Sequence, residues 1–250
     1  MNIKKLFSII IAASLVIFFA AKPTFIASAN QNKIELDKDL KSLSISSSIE
    51  EIKVFGKSDR NYIELSNDKF NVETGKSTKI SQKNSVGTLE DSIKIYLSSD
   101  LEELNIDTKH TDIKLFDANI EKINIKNSDG DNKLFNTKAK NIDIKEESGE
   151  IVIENQNNLE SLSINSSATD IKLFSLESKL LDFKGNDNKI IFTETHSPKL
   201  IFDTQKAIIE GQLLTKGNNF KFVDNKETVK TTDHSIYVDK SKNEFSVELK

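Results

Sequence analysis

Apolar and polar residues alternate along most of this chain in short runs. Leu43-Ser44-Ile45, Ile113-Lys114-Leu115, Ile142-Asp143-Ile144 and Leu162-Ser163-Ile164 each repeat with period two, which places successive side chains on opposite faces of a strand. No helical stripe at i, i+3, i+4, i+7 is sustained after residue 29. Alanine, the best helix former, is rare there, while Ile, Val, Phe and Thr suit strands.

A second, longer period overlies the first. Leu104/Ile106, Ile123/Ile125, Ile142/Ile144, Leu162/Ile164, Leu181/Phe183 and Leu200/Phe202 are spaced 19, 19, 20, 19 and 19 residues apart. A further apolar pair begins seven residues after most of them: Ile113/Leu115, Ile151/Ile153, Ile171/Leu173 and Ile190/Phe192. One unit replaces its first member by Asn132, and the last slips register at Ile208-Ile209. Leu43/Ile45 with Ile52/Val54 reads as an outlying copy.

A unit of about 19 residues cannot bury its own apolar face, so the units must stack. The spacing predicts an all-β protein, a single-stranded β-solenoid of the β-helix type, with two short strands per rung and capping strands at both ends. The column Ile106, Ile125, Ile144, Ile164, Phe183, Phe202 forms its spine, rising about 4.8 Å per rung. An antiparallel sandwich also shows a turn signal every 8–12 residues, but it does not need near-identical units at fixed spacing. The expected layout is an N-terminal β segment or cap over 30–97, repeats over 98–223 and a closing β-hairpin over 224–250. That hairpin joins Ser235-Ile236-Tyr237-Val238 to Phe245-Ser246-Val247-Glu248-Leu249. Pro198 stands just before a strand, where a missing N–H is tolerated.

These units resemble a known family. Ile95-Tyr96-Leu97-Ser98-Ser99-Asp100-Leu101-Glu102-Glu103-Leu104-Asn105-Ile106 is similar to the stretch that opens the solenoid in the bacterial "putative adhesin" family of domains of unknown function. Lys138-Ala139-Lys140-Asn141-Ile142-Asp143-Ile144 and Ser148-Gly149-Glu150-Ile151-Val152-Ile153 resemble its recurring rung. The resemblance spans roughly 34–249. It implies an exported or envelope-associated β-solenoid, with no catalytic residues to carry over. Some relatives belong to envelope-stress systems, a role implied here by analogy alone. Only Ser148-Gly149-Glu150 keeps the turn glycine in place. The other turns read Lys109-His110-Thr111-Asp112, Ser128-Asp129-Gly130-Asp131 and Ser167-Ala168-Thr169-Asp170, where a positive φ without glycine costs energy.

The start of the chain supplies an address. Met1–Lys5 is basic, the 16 residues Leu6–Ala21 are apolar apart from two serines, and Ala27-Ser28-Ala29 offers small residues to a signal peptidase. This is the pattern of a secretory signal peptide over 1–29, cleaved before Asn30. The apolar run is short of the ~20 residues of a membrane-spanning anchor, the rival reading. The expected product is secreted or cell-surface associated, with no membrane span after cleavage.

Removing residues 1–29 takes away three lysines and no acid, leaving 32 basic against 39 acidic residues, a net charge of −7. Nucleic acid is held mainly by Lys and Arg on phosphates, so that partner is excluded. Arg60 is the one arginine, and the absence of cysteine rules out disulfides and thiolate chemistry.

On the second strand of most rungs an acid (Glu51, Asp112, Asp131, Glu150, Asp170) stands two residues before a lysine (Lys53, Lys114, Lys133, Lys172), with Val152 breaking the series. Positions two apart share a face, so acidic and basic columns run side by side on an outer wall. Asp112, Lys114, Asp131, Lys133, Glu150, Asp170 and Lys172 are the candidate interaction surface, and a solvated, self-compensated wall is the competing reading. Asn127, Asp129, Gly130 and Asp131 echo a calcium loop but lack its later bidentate Glu and flanking helices. No metal or cofactor is expected. His110, His196 and His234 are widely separated and form no visible catalytic grouping. Phe55, Phe116, Phe135 and Phe174 each follow a second strand. They are expected at a corner as core, because an outward row would be a sticky patch.

Together these features point to a secreted, non-enzymatic β-solenoid that binds an envelope component, glycan or protein. The alternatives are a sensor of cationic antimicrobial peptides in envelope stress and a polysaccharide lyase or hydrolase built on a β-helix.

Overall fold

The structure is a computed structural model that describes residues 32–83, 91–215, 221–223, 235–239 and 241–250. They belong to one compact unit, Gln31–Lys250. The expected signal segment and His234 lie outside the described residues.

Every regular element described is a strand. The chain passes through β1 (Asn32–Glu35), β2 (Ser42–Ser47), β3 (Glu51–Phe55), β4 (Tyr62–Leu65), β5 (Phe70–Glu73), β6 (Ser77–Gln82) and β7 (Ser92–Tyr96). It continues through β8 (Leu101–Thr108), β9 (Asp112–Phe116), β10 (Ile120–Phe135), β11 (Asn141–Leu159), β12 (Ser161–Ser167) and β13 (Thr169–Ser178). Then follow β14 (Leu180–Asn186), β15 (Lys189–Thr195), β16 (Lys199–Gln205), β17 (Ile208–Leu213), β18 (Lys221–Val223), β19 (Ser235–Val238) and β20 (Glu244–Leu249).

These strands stack into two walls, and the pairing is parallel from rung to rung. The first wall runs β6, β2, β8, β10, β11, β12, β14, β16, β19. The second runs β7, β3, β9, β10, β11, β13, β15, β17, β20. Strands β10 and β11 are long enough to turn the corner and serve both. Parallel stacking excludes the sandwich.

The spine forms in the expected register: Ile106, Ile125, Ile144, Ile164, Phe183 and Phe202 lie directly above one another, each no more than 2% exposed. It extends to Ile45 and Ile80 at one end and Val238 at the other. Fully burying such side chains contributes roughly 1.5–3 kcal/mol each before entropy is counted.

Two expectations change. The copy at Leu43/Ile45 is not outlying: Leu43 pairs with Leu104, Ile45 with Ile106, and Ile52 with Ile113. The rung β6/β7, later in sequence, sits outside β2/β3, so chain order and stacking order differ. This arises because β4 and β5 turn the chain back. Antiparallel β5 covers the edge of β6, and antiparallel β4 and β1 cover that of β7, which blunts an edge that would otherwise invite pairing.

The closing hairpin does not form. β19 pairs parallel with β16, and β20 parallel with β17, so both belong to one more rung. The physical reason is the corner between them. Asn243 donates to the carbonyls of Thr204 and Asp239 and accepts from the N–H of Ala207. Asn188 repeats the arrangement earlier, donating to the Ser166 carbonyl and accepting from the N–H of Thr169. A buried asparagine thus fixes the corner and sends the chain on to the other wall.

The corners without glycine adopt positive φ all the same: 54° at His110, 50° at Ala168, 55° at Asp187 and 54° at Lys206. Each left-handed residue costs roughly 1–2 kcal/mol, which stacked backbone hydrogen bonds offset. Where β10 and β11 run through, the corner uses Gly130 and Gly149 at φ 127° and 132°, and Gly130 stacks in register on Gly149, so the turn Ser128-Asp129-Gly130-Asp131 also keeps its glycine in place, against expectation. A Cβ on Gly149 would stand 2.1 Å from the Gly130 carbonyl oxygen, so only glycine fits.

Candidate functional site

The two walls present different outer surfaces. On the second wall Asp112, Lys114 and Phe116 of Asp112-Ile113-Lys114-Leu115-Phe116 face out, while Ile113 and Leu115 are buried. Stacking therefore builds three outer columns: acid, lysine and aromatic. The acids and lysines pair with each other. Lys114 reaches Glu51 at 2.7 Å and Asp112 at 3.7 Å. Lys133 reaches Asp131 at 2.7 Å and Glu150 at 3.1 Å, and Lys172 pairs with Glu150. The structure thus joins six of the seven candidate surface residues into a zipper. Asp170 is exposed and makes no ion pair among the described residues.

Burial pushes the carboxyls of Glu51 and Glu150 up, but hydrogen bonds from their lysines outweigh it and hold both below the usual carboxylate range. Lys133 is depressed by burial and raised on balance by Asp131 and Glu150. Partly exposed pairs of this kind contribute up to about 1 kcal/mol each. Because most of its charge is neutralised internally, the zipper offers little free charge to a ligand.

The phenylalanines do not enter the core. Phe55, Phe116, Phe135 and Phe174 lie half-buried on the outer wall, because strict alternation puts them on the face of the preceding acid and lysine. There Phe55, Phe116 and Phe135 extend a ladder begun by two tyrosines. Tyr62 stacks on Tyr96 at 4.3 Å, Tyr96 on Phe55 at 5.1 Å, Phe55 on Phe116 at 5.5 Å and Phe116 on Phe135 at 5.6 Å. The planes lie within 22° of parallel, so ring faces cover one another and edges face solvent, which removes the platform a sugar ring needs. Burial, then the nearby Glu64 carboxylate, raises the Tyr96 hydroxyl to about 12. Phe116→Ala breaks stacking on both sides and is expected to cost about 2–3 kcal/mol. Phe174→Ala, which interrupts no stack, should cost clearly less. Urea denaturation of both variants compares them.

The first wall is different. Its outer positions carry short polar side chains in register: Ser44, Asn105, Asn124, Asp143 and Ser163. Serines between longer neighbours leave an open trough of about 520 Å³ over the column from Ser44 to Asp143, flanked by Lys79, Lys126 and Lys145 and by Glu73 and Asp107. Asn124 donates to Asn105 at 2.6 Å and to Glu103 at 3.2 Å, which orients both amides. The trough was missed from sequence. Its floor needs Ser44 beside Asn105, and that adjacency exists only because the stack departs from chain order.

The calcium-like segment does not converge. Asn127 is buried and donates to the Thr111 carbonyl at 2.8 Å. Asp129 is exposed beside His110 at 3.3 Å, and Asp131 turns to Lys133. No cluster of three or more candidate metal ligands exists among the described residues. His196, 9% exposed, holds the Leu214 carbonyl through Nδ1 at 2.5 Å.

One buried acid lies between the walls. Glu146, 3% exposed, stands in register with Asn127 and accepts a hydrogen bond from the fully buried Asn132. Burial drives its carboxyl up to about 8, with smaller opposing help from Asn132.

Comparison with known proteins gives the following likenesses. Residues 31–207 match the model of a domain family described as Toastrack DUF4097. No curated protein matches the chain. Among solved structures, a "putative adhesin" from Parabacteroides distasonis ATCC 8503 is 12% identical, covering 88% of this chain and 96% of its own, with a TM-score of 0.45. A "putative cell adhesion protein" from Clostridium sporogenes ATCC 15579 is 13% identical over 88% and 93%, with a TM-score of 0.35. A "putative adhesin" from Bacteroides fragilis NCTC 9343 is 9% identical over 88% and 96%, with a TM-score of 0.40.

Proposed function

The chain belongs to the Toastrack DUF4097 family, and from that premise we propose that it is a non-enzymatic binding module, exported and retained at the bacterial surface, which holds a hydroxyl-rich envelope glycan in the trough of the first wall. The observation that carries this reading is the in-register column of Ser44, Asn105, Asn124 and Asp143 under an open trough. Hydroxyl and carboxamide groups donate and accept at once, as sugar hydroxyls require, and the regular rise of the rungs repeats that chemistry along the axis.

Export rests on the basic start, the apolar run Leu6–Ala21 and Ala27-Ser28-Ala29. No described helix is long and apolar enough to cross a membrane. A lyase or hydrolase gains no support from Glu146, the one described carboxyl raised as far as about 8, because it is only 3% exposed.

The test is binding of purified residues 30–250 to immobilised neutral and acidic glycans. Saturable binding is expected, weakened at least tenfold by Asn124→Ala with the circular dichroism spectrum unchanged. Wild-type protein that binds no glycan, or an Asn124→Ala variant that binds as well as wild type, would overturn the assignment.

A further inference from the structure

Four rungs in the middle of the second wall, on β3, β9, β10 and β13, repeat one outer triplet, and β11 interrupts them. Glu51-Lys53-Phe55, Asp112-Lys114-Phe116, Asp131-Lys133-Phe135 and Asp170-Lys172-Phe174 keep acid, lysine and aromatic in order. The rung on β11 reads Glu150-Val152-Glu154 and loses lysine and ring together. Register places Glu154 directly between Phe135 and Phe174. Those two positions are two strand spacings apart, or about 9.6 Å. A flat group at the level of Glu154 would then meet a ring on each side at about the spacing found within the ladder.

The charge at this level is uncompensated. Glu154 makes no ion pair among the described residues and accepts one long hydrogen bond, from Asn155 at 3.4 Å. The lysines above and below are engaged elsewhere, Lys133 with Asp131 and Glu150 and Lys172 with Glu150. Over these three rungs four acidic outer positions, Asp131, Glu150, Glu154 and Asp170, face only two lysines, Lys133 and Lys172.

The other end of the same ladder shows what such a place accepts. There Tyr62 is covered by Lys33, 3.6 Å from its ring centroid, with Arg60 at 5.8 Å. Arg60 also pairs with Glu35 at 3.2 Å. Ring, cation and carboxylate thus occur together at that end, whereas at Glu154 the rings and the carboxylate occur without the cation.

We propose that the gap at Glu154, between Phe135 and Phe174, is a slot for an arginine side chain of a partner polypeptide. A guanidinium is flat, stacks on aromatic faces and pairs side-on with a carboxylate. A lysine ammonium can sit over one ring face, as Lys33 does on Tyr62, but as a compact, strongly hydrated point charge it has no flat face to fill the space between two rings and no fork for the carboxylate. The slot lies on the wall opposite the trough, so the two assignments stand or fall separately.

The experiment titrates residues 30–250 with tri-arginine and tri-lysine peptides of equal charge by calorimetry, at low and at physiological salt. Tri-arginine should bind at least fivefold tighter, and Glu154→Gln should weaken it at least tenfold. Glu154→Phe, which completes the aromatic ladder, should abolish the preference while the variant melts at or above the wild-type temperature. Equal binding of the two peptides, no binding of either, or wild-type affinity in the folded Glu154→Phe variant would each overturn the proposal.

Discussion

Ile144→Asp is expected to unfold the solenoid, or to lower its stability by at least about 4 kcal/mol, the range reserved for an unpaired charge or a large core defect. Ile144 is 0% exposed and lies between Ile125 and Ile164 in the spine. An aspartate there loses the transfer energy of the isoleucine side chain, leaves a void, and brings in a carboxylate that has neither water nor a cation. Its position in a central rung aggravates the damage. A stacked protein is held together by contacts between nearest neighbours, and the rungs on both sides lose theirs. Lys114→Glu on the outer wall should cost only about 1–2 kcal/mol, because Lys114 is 25% exposed and water can solvate the new carboxylate beside Glu51. Urea denaturation followed by circular dichroism compares the two. Small and equal losses would contradict the assignment of inward and outward positions.

That assignment could be read from residue order because it depends on two periods that reinforce each other. Alternation alone distinguishes Ile142 and Ile144 from Asp143, and the 19-residue repeat then aligns Ile125, Ile144 and Ile164. The reading failed where three-dimensional neighbours are not sequence neighbours. β2 stacks on β8, although β3 to β7 intervene, and nothing local to Leu43-Ser44-Ile45 announces that crossing. The trough on the first wall was hidden for the same reason.

The phenylalanines failed differently. Asp112-Ile113-Lys114-Leu115-Phe116 states by alternation that Phe116 faces out, but the general preference of aromatic rings for the interior suggested a corner. The ladder satisfies that preference at the surface, since each ring covers the faces of its neighbours. Equally, Glu146 follows Ile142 and Ile144 at the same interval and was therefore readable as an inward acid. Its partner Asn132 was already visible as the polar member of an apolar pair. Neither residue alone says that the two meet, because Asn132 belongs to the second strand of one rung and Glu146 to the first strand of the next.

Their meeting gives the protein a pH dependence of definite sign. Burial holds the Glu146 carboxyl at about 8 in the folded chain, against 4.5 for an ordinary glutamate, and the nearby Asp129 and Asp131 add to the rise while Asn132 and the Ser148 N–H oppose it. Between those two values the folded state binds more protons than the unfolded one, so stability falls as pH rises through the window and levels off above about 8. Each unit of difference is worth about 1.4 kcal/mol, which makes a loss of a few kcal/mol the expected scale. The wall acids Glu51 and Glu150, held below the usual range, act on the other side. Their contribution is present above the usual carboxylate range and is lost only as pH falls through their lowered values. A further observation fits a protonated Glu146. Its Oε1 and the Asn132 Oδ1 are both buried without a hydrogen-bond partner, and a proton on Oε1 would give the amide oxygen the donor it lacks. Glu146→Gln keeps the shape and removes the titration. Subtracting its urea-denaturation free energies from those of wild type at pH 5, 6.5, 8 and 9 cancels the groups the two proteins share. The expected result is near equality at pH 5 and a glutamine variant more stable by a few kcal/mol at pH 8 and above. A difference that stays flat across the series would show that Glu146 is ionised throughout and that the corner tolerates its charge.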